Sequence, residues 1–446
     1  MSGYISDTEA DRRGMLAGLG LETADGLFSG IPENVRLQRA LELPEAMSEL
    51  ELLQYMRKLG AGNKNLTDNV CFLGAGAYDH YIPSVVGHII SRQEFYTSYT
   101  PYQPEISQGV LQAIFEYQTM ICELTGMDVS NASMYDGATA LAEAASMALH
   151  ATGRKRTLVS AAVHPEYREV LRTYASFNGS EYAEIGLRDG KTDMEELQAC
   201  LGSETASVII QSPNFFGLLE DMKDVPGLAH KNGSLAIACV DPVSLGILKS
   251  PGEYGFDIAA GDGQPLGSPL SFGGPYLGFL AAAGALMRRM PGRIAGQTVD
   301  TKGRRAFVLT LQAREQHIRR EKAVSNICSN QSLNAIAAAV YLTVMGREGL
   351  KKVADLCLQK SHYAYEKLLS TGKFEKAFEG GFFKEFTLKS REPVAALNAR
   401  LLKDKIIGGL ELSKYYPEMQ DGWLVAVTEK RTRGEIDRLA GIAGAM

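Results

Sequence analysis

At 446 residues, with 45% hydrophobic and 22% charged residues, the chain has ordinary globular composition and the length of two or three domains. A formal net charge of −6 and a pI near 5.8 leave no basic footprint for nucleic acid or an anionic membrane surface. The opening stretch Met1–Asp7 has no basic-then-apolar signal pattern, and the longest apolar run, Leu277–Met287, falls short of the roughly 18 residues of a membrane span and ends in Arg288 and Arg289. The six scattered cysteines contain no Cys-x-x-Cys pair, which predicts reduced thiols, a cytoplasmic protein and no metal site.

Residues 1–65 predict a helical, partly extended arm, with helical patterns at Asp7–Gly18 and Glu45–Leu59 joined through the Pro32 region. Such an arm lacks a core of its own and should pack on another domain or another subunit. Residues 66–325 alternate apolar runs with amphipathic stretches. The predicted strands are Thr157–Val163, Glu181–Gly186, Ala206–Ser212, Leu235–Val240, Phe256–Ala260 and Tyr276–Ala281. The predicted helices among them are Ala138–His150, Pro165–Phe177, Asp193–Leu201 and Asp224–Lys231. Alternation with apolar strands implies an α/β fold, a mainly parallel sheet covered on both faces, with sites at the carboxyl ends of the strands. Residues 326–446 change order: a long helical region Gln331–Leu369, then strand, helix, two strands and a helix, Phe382–Leu388, Pro393–Lys403, Ile406–Glu411, Gly422–Glu429 and Thr432–Ala445. That is a small α+β domain.

The most telling residue is Gln264. Asp241 ends the apolar run Leu235–Val240, and the glycine-rich loop Gly261–Gly267 follows the next apolar run. In the type I pyridoxal-phosphate-dependent transferase fold, which the large-then-small layout fits, an Asp at one strand end pairs with the pyridinium nitrogen. A Lys arrives after a further helix and strand to form the imine. The span from Asp241 to Gln264 suits that path, but the residue delivered is an amide, which cannot form an imine. Lys249 follows Asp241 too closely to replace it and reads as a surface lysine.

Other positions carry two readings each. Asp136, in Ser133–Thr139 before an Ala-rich helix, caps free amides where a phosphate would otherwise bind, and as a carboxylate it would repel that phosphate. His164 opens a helix, as a cap or as a ring to stack on a pyridine. Asp241 is an Asp-Pro turn or a pyridinium partner. The stretch Tyr96–Gly109 places Pro104 at N1 of a following helix, while its tyrosines suggest a binding surface. Arg314–Lys322 is a mixed-charge helical stretch, a solvated face or subunit contact, with Arg319 available for an anion.

Together these stretches resemble the glycine-cleavage P-protein family, most closely the alpha chain of its two-chain bacterial form. Thr8–Arg13, Tyr99–Gly109, Asn131–Ala140, Gln264–Gly267 and Arg314–Arg320 carry the resemblance. The beta chain of that family has a His-Lys-Thr segment before a glycine run. Set against Gly273-Gly274-Pro275 here, its Lys falls on Gln264 and its His on Gly263. The resemblance implies that this chain binds no cofactor covalently and that Asp241 and His164 are relic positions, with pyridoxal phosphate on the partner beta chain. It further implies an α2β2 heterotetramer that decarboxylates glycine and passes the aminomethyl group to the lipoyl arm of H-protein. Tyr96, Tyr99, Tyr102 and Gln103 are then candidates to wall the partner's active site. Two alternatives stay open: a structural or regulatory paralogue, and a self-sufficient pyridoxal-phosphate enzyme using an unrecognised lysine.

Overall fold

A computed structural model of the chain describes residues 6–445. It forms two compact units, one ending at Lys64 and the other beginning at Asn65. In the first, helices α1 (Glu9–Gly18) and α2 (Glu49–Gly60) each start with a capping box, Thr8 with Asp11 and Ser48 with Glu51. Leu16 is the one buried apolar side chain among the described residues of that unit.

The second unit is built on a seven-stranded sheet. Its strands in chain order are β1 (Val129–Ser130), β2 (Arg156–Ser160), β3 (Glu181–Ile185), β4 (Thr205–Ser212), β5 (Leu235–Val240), β6 (Ile258–Asp262) and β7 (Gly278–Ala282). They lie in the order β1-β7-β6-β5-β4-β2-β3, parallel from β6 to β3, with β7 antiparallel to both its neighbours. The apolar runs are continuous because both faces are buried. In β5, Ala236, Ala238 and Val240 enter one core while Ile237 and Cys239 enter the other. Helices α3 (Gln108–Thr125), α4 (Gly137–Thr152) and α5 (Pro165–Asn178) flank this sheet, α3 contributing Tyr117 and Ile121 to the first core and α4 contributing Leu141 and Met147 to the second.

A hairpin, β8 (Ile294–Val299) with β9 (Arg305–Thr310), was not anticipated from the sequence. Helix α6 (Ser332–Ser370) contains a break at Gly346, whose φ of 58° interrupts the helical path. A four-stranded antiparallel sheet follows, β10 (Phe374–Lys376), β11 (Glu385–Ser390), β12 (Leu410–Glu411) and β13 (Gly422–Ala426), ordered β10-β11-β13-β12. Two local expectations fail. Pro104 lies in a turn ahead of α3 and not at its N1, because the helix begins only at Gln108. Arg314–Lys322 is no continuous helix: one turn, Gln316–Arg319, ends at Arg320, whose φ of 54° cannot continue it. Among the described residues no helix is long and apolar enough to cross a membrane, and all six cysteines are unpaired.

The two sheets meet where the turn after β4 runs against the start of β11. Leu218 bridges Phe382, and Leu219 N donates to Gly381 O at 2.9 Å. Gly217 sits at φ 91°, and a Cβ there would lie 2.1 Å from the carbonyl oxygen of Glu385. We expect Gly217→Ala to lower unfolding free energy by more than about 1 kcal/mol in urea titration, since both backbone conformation and space oppose a side chain.

Candidate functional site

The carboxyl ends of β2, β4, β5 and β6 open onto one pocket, lined by His164, Tyr167, Phe215, Asp241 and Asp262 from the large sheet's side. Tyr78 of an incoming loop and Lys384 and Glu385 at the start of β11 complete it. The incoming loop is anchored by parallel pairing of Val70 with Ile406 and Cys71 with Ile407.

Lys384 dominates the electrostatics. Its side chain is only 2% exposed, and its Nζ lies 2.6 Å from Asp241 Oδ2. The same ammonium stands 3.0 Å from His80 Nε2 and 3.4 Å from the centre of the Tyr78 ring. Asp241 Oδ1 accepts the amide of Val243 at 2.9 Å, so the Asp-Pro turn and the ion pair share one carboxylate. Burial and the Lys384 charge both hold the His80 pKa down. Its ring is therefore neutral, accepting from Lys384 and donating from Nδ1 to Glu429 Oε2 at 2.6 Å. Cys357 Sγ donates to the same Glu429 oxygen at 3.4 Å. His80, Cys357 and Glu429 thus lie close enough to suggest a metal site, but each is engaged with its neighbours and Lys384 adds a positive charge beside them.

Gln264 is buried behind Tyr78. Its Oε1 accepts Tyr78 N–H at 2.9 Å, and its Nε2 donates to Tyr78 O at 3.0 Å and Ser268 O at 2.8 Å. The amide pairs with both backbone groups of one residue, its N–H and its C=O, which a lysine, having donors only, cannot do. Tyr78 in turn donates its hydroxyl to Glu385 Oε2 at 2.6 Å, and Glu385 Oε1 accepts Ala75 N–H at 2.6 Å. Burial pushes the Glu385 carboxyl up to about 7.

His164 caps α5, its Nδ1 accepting Glu166 N–H at 3.2 Å, and its Nε2 donates to Ala75 O at 3.0 Å. Its ring stacks on Tyr167, with centroids 4.7 Å apart and planes 20° from parallel. Tyr167 then reaches the mouth of α4, where a Cβ on Gly137 would lie 2.3 Å from its hydroxyl. At that mouth Asp136 Oδ1 accepts Thr139 N–H at 2.8 Å, and Asp262 Oδ2 accepts Gly137 N–H at 3.0 Å. Burial, with a contribution from Asp136, pushes Asp262 up to about 7.

Pyridoxal phosphate requires a free carboxylate for its ring nitrogen, a ring face for stacking, unshielded helix amides for its phosphate and a lysine for its aldehyde. Here Asp241 pairs with Lys384, His164 stacks on Tyr167, two carboxylates cover the amides of α4, and Gln264 is an amide. These residues do not fit that cofactor. Of the positions singled out in the sequence, Asp241 and His164 line the pocket, Gln264 supports its Tyr78 wall from behind, and Asp136 is a cap. The four tyrosine-stretch residues do not line the pocket. Tyr96 and Tyr99 are exposed, Tyr99 by 83%, and Gln103 is exposed beside them. Tyr102 is tied down, accepting from Arg293 Nη2 at 2.9 Å, with the guanidinium 5.3 Å from its ring centre. Lys249 is exposed over the Tyr254 ring, and Arg319 is exposed. Lys384, Tyr167, Asp262, Tyr78 and Glu385 were missed. The signal for Lys384 was a charged pair inside the otherwise apolar run Phe382-Phe383-Lys384-Glu385-Phe386.

A family model described as the glycine cleavage system P-protein matches residues 2–442. The probable glycine dehydrogenase (decarboxylating) subunit 1 of Desulforamulus reducens is 56% identical over 443 residues, covering 99% of both chains. Its counterpart in Moorella thermoacetica is 57% identical over 436 residues, covering 98% of both. The crystal structure of a glycine decarboxylase (P-protein) of the glycine cleavage system, in inhibitor-bound form, superposes with a TM-score of 0.92 at 44% identity, covering 99% of each chain. A sphingosine-1-phosphate lyase from Burkholderia pseudomallei, at 13% identity and a TM-score of 0.66 over 93% of this chain and 94% of its own, shares the fold alone.

The geometry sets two expectations. Gln264→Lys should leave the lone chain without glycine-dependent CO2 release, because Asp241, His164 and the α4 amides remain engaged. It should also cost about 1–3 kcal/mol of stability by orphaning Tyr78 N–H. Robust CO2 release from that variant would contradict the occupied pocket. Glu385, raised from 4.5 to about 7, binds its proton more tightly folded than unfolded, so stability falls as pH rises across that window. Glu385→Gln should flatten part of this slope in thermal melts and melt a few degrees above wild type at mildly alkaline pH; Asp262 keeps the remainder.

Proposed function

This chain belongs to the glycine cleavage system P-protein family as its alpha subunit, subunit 1 of glycine dehydrogenase (decarboxylating), and we propose that it is the half of that enzyme that carries no pyridoxal phosphate. The cofactor is held by the beta chain, in an α2β2 heterotetramer. The assembly decarboxylates glycine and transfers the aminomethyl group to the lipoyl arm of H-protein in the cytoplasm. The single observation that carries the division of labour is the Lys384–Asp241 ion pair, which occupies the carboxylate that a pyridinium nitrogen would need.

The reading that makes the chain self-sufficient requires another lysine, and Lys384 is the buried one in the pocket. Its position argues against it. In pyridoxal phosphate the ring nitrogen and the aldehyde-bearing carbon lie at opposite ends of the ring, so a lysine touching Asp241 stands at the wrong end for an imine. The reading that makes it a mere scaffold leaves the tyrosine stretch without a role. Tyr96 and Tyr99 present rings to solvent, and aromatic side chains of this kind are enriched where proteins meet. The first unit points the same way: Leu19, Phe28, Leu41, Leu50, Leu53 and Met56 are exposed, more apolar surface than a monomer ordinarily carries. A beta chain covering this surface, with Tyr96, Tyr99 and Gln103 facing its active site and Tyr102 bracing them, accounts for both features.

The test is to purify this chain alone and with its beta partner, add pyridoxal phosphate, and record visible absorbance before and after borohydride. The expected result is no reducible imine on this chain and glycine-dependent CO2 release only from the mixture. A reduced adduct mapped to Lys384 or any other lysine of this chain would overturn the assignment.

A further inference from the structure

The pocket is more than a site with a missing lysine. Three of the four groups that would receive a pyridoxal phosphate, all but the lysine position, are engaged by side chains of matching character. A phenol ring lies flat on His164 and extends to the first turn of α4. An ammonium, as cationic as a protonated pyridine nitrogen, sits 2.6 Å from Asp241. Carboxylate oxygens of Asp136 and Asp262 accept the Thr139 and Gly137 amides at 2.8 Å and 3.0 Å, as phosphate oxygens would. We propose that this chain supplies its own cofactor surrogate: Tyr167 takes the place of the ring, Lys384 that of the ring nitrogen, and Asp136 with Asp262 that of the phosphate.

The surrogate has a mechanical consequence. Asp241 directly follows a strand of the seven-stranded sheet, while Lys384 directly precedes a strand of the four-stranded one. The ion pair therefore ties the two sheets together, and His80 extends the tie to Glu429 beyond β13. Charges buried this deeply are held only where each has its partner, so either partner alone leaves an uncompensated charge. The chain keeps its two sheets closed on each other without a ligand. This deepens the proposal that the beta chain holds the cofactor, and it can fail separately from it.

The test uses the full-length chain and thermal melts. Wild type should show no change in melting temperature and no bound-chromophore spectrum on adding pyridoxal phosphate. Lys384→Ala should melt at least about 5 °C lower, because the Asp241 carboxylate stays buried without its cation. n-Propylammonium, which replaces the deleted atoms, should restore much of that loss, while tetramethylammonium at the same ionic strength should not. The double variant Lys384→Ala with Asp241→Asn should melt above Lys384→Ala, and if the single variant proves insoluble the double should still be recovered folded. A melting temperature of Lys384→Ala equal to wild type, or equal responses to the two amines, would overturn the surrogate and leave the assignment of the cofactor to the beta chain standing. Saturable uptake of pyridoxal phosphate by wild type would overturn both.

Discussion

A lysine ammonium taken out of water costs several kcal/mol unless its surroundings replace the lost hydration, and the surroundings of Lys384 are arranged around that requirement. Asp241 supplies the countercharge, His80 an acceptor and Tyr78 the negative face of a ring. Each helper needs support of its own. Val243 N–H fixes Asp241, Glu429 fixes the tautomer of His80, and Gln264 holds both the N–H and the C=O of Tyr78. Seen from this end, Gln264 is not an empty place in a catalytic apparatus. It is a polar clamp whose acceptor oxygen is as necessary as its donor, and a lysine would supply only half of that chemistry.

The acids nearby follow from the same burial. Lys384 and Asp241 cancel one another, which leaves little field to hold further carboxylates ionised in the pocket. Glu385 and Asp262, both pushed up to about 7, respond to desolvation first, to the hydrogen bonds they accept second and to neighbouring charge only after that. Protonated, Glu385 can share its hydrogen with the Tyr78 hydroxyl while still accepting Ala75 N–H. The pocket therefore holds together as a hydrogen-bonded solid, with few groups free to turn toward a small molecule.

Much of this architecture was legible in the sequence where burial alone dictates pattern. Strands flanked by helices on both faces must be apolar at consecutive positions, so Leu235–Val240 could be placed to the residue. Asp136 announced its cap by standing before an Ala-rich helix, and Asp241 and Gln264 could be set at neighbouring strand ends by counting elements. What could not be read were pairings across long stretches of chain. Nothing local to Lys384 says that its partner is Asp241, and the stacking of Tyr167 on His164 looked like one more turn of an amphipathic helix. The hairpin Ile294–Thr310 was missed for a different reason. One of its strands ends in three consecutive exposed residues, Gln297, Thr298 and Val299, so its alternation is weak, although Gly303 in the turn was a usable sign.

A fold that hosts many chemistries says little about which one a given chain performs; the residues at the strand ends decide. Here those residues engage one another, which is the ground of the proposal that this chain keeps an enzyme's shape while its partner carries the chemistry. In a cofactor-dependent fold, the bound ligand is part of the packing, and its loss loosens the groups that surrounded it. Substituting a stacked phenol, a paired ammonium and two capping carboxylates preserves that packing with covalently attached parts. The surface such a chain offers to a partner then does not vary with the supply of cofactor. Under the proposed division of labour this is an advantage with a physical basis: the half with the surrogate would stay in a single closed form, and only the half with the cofactor would respond to ligand. The exposed Tyr96 and Tyr99, with Tyr102 tied to the buried Arg293, would then be mounted on the half that does not vary.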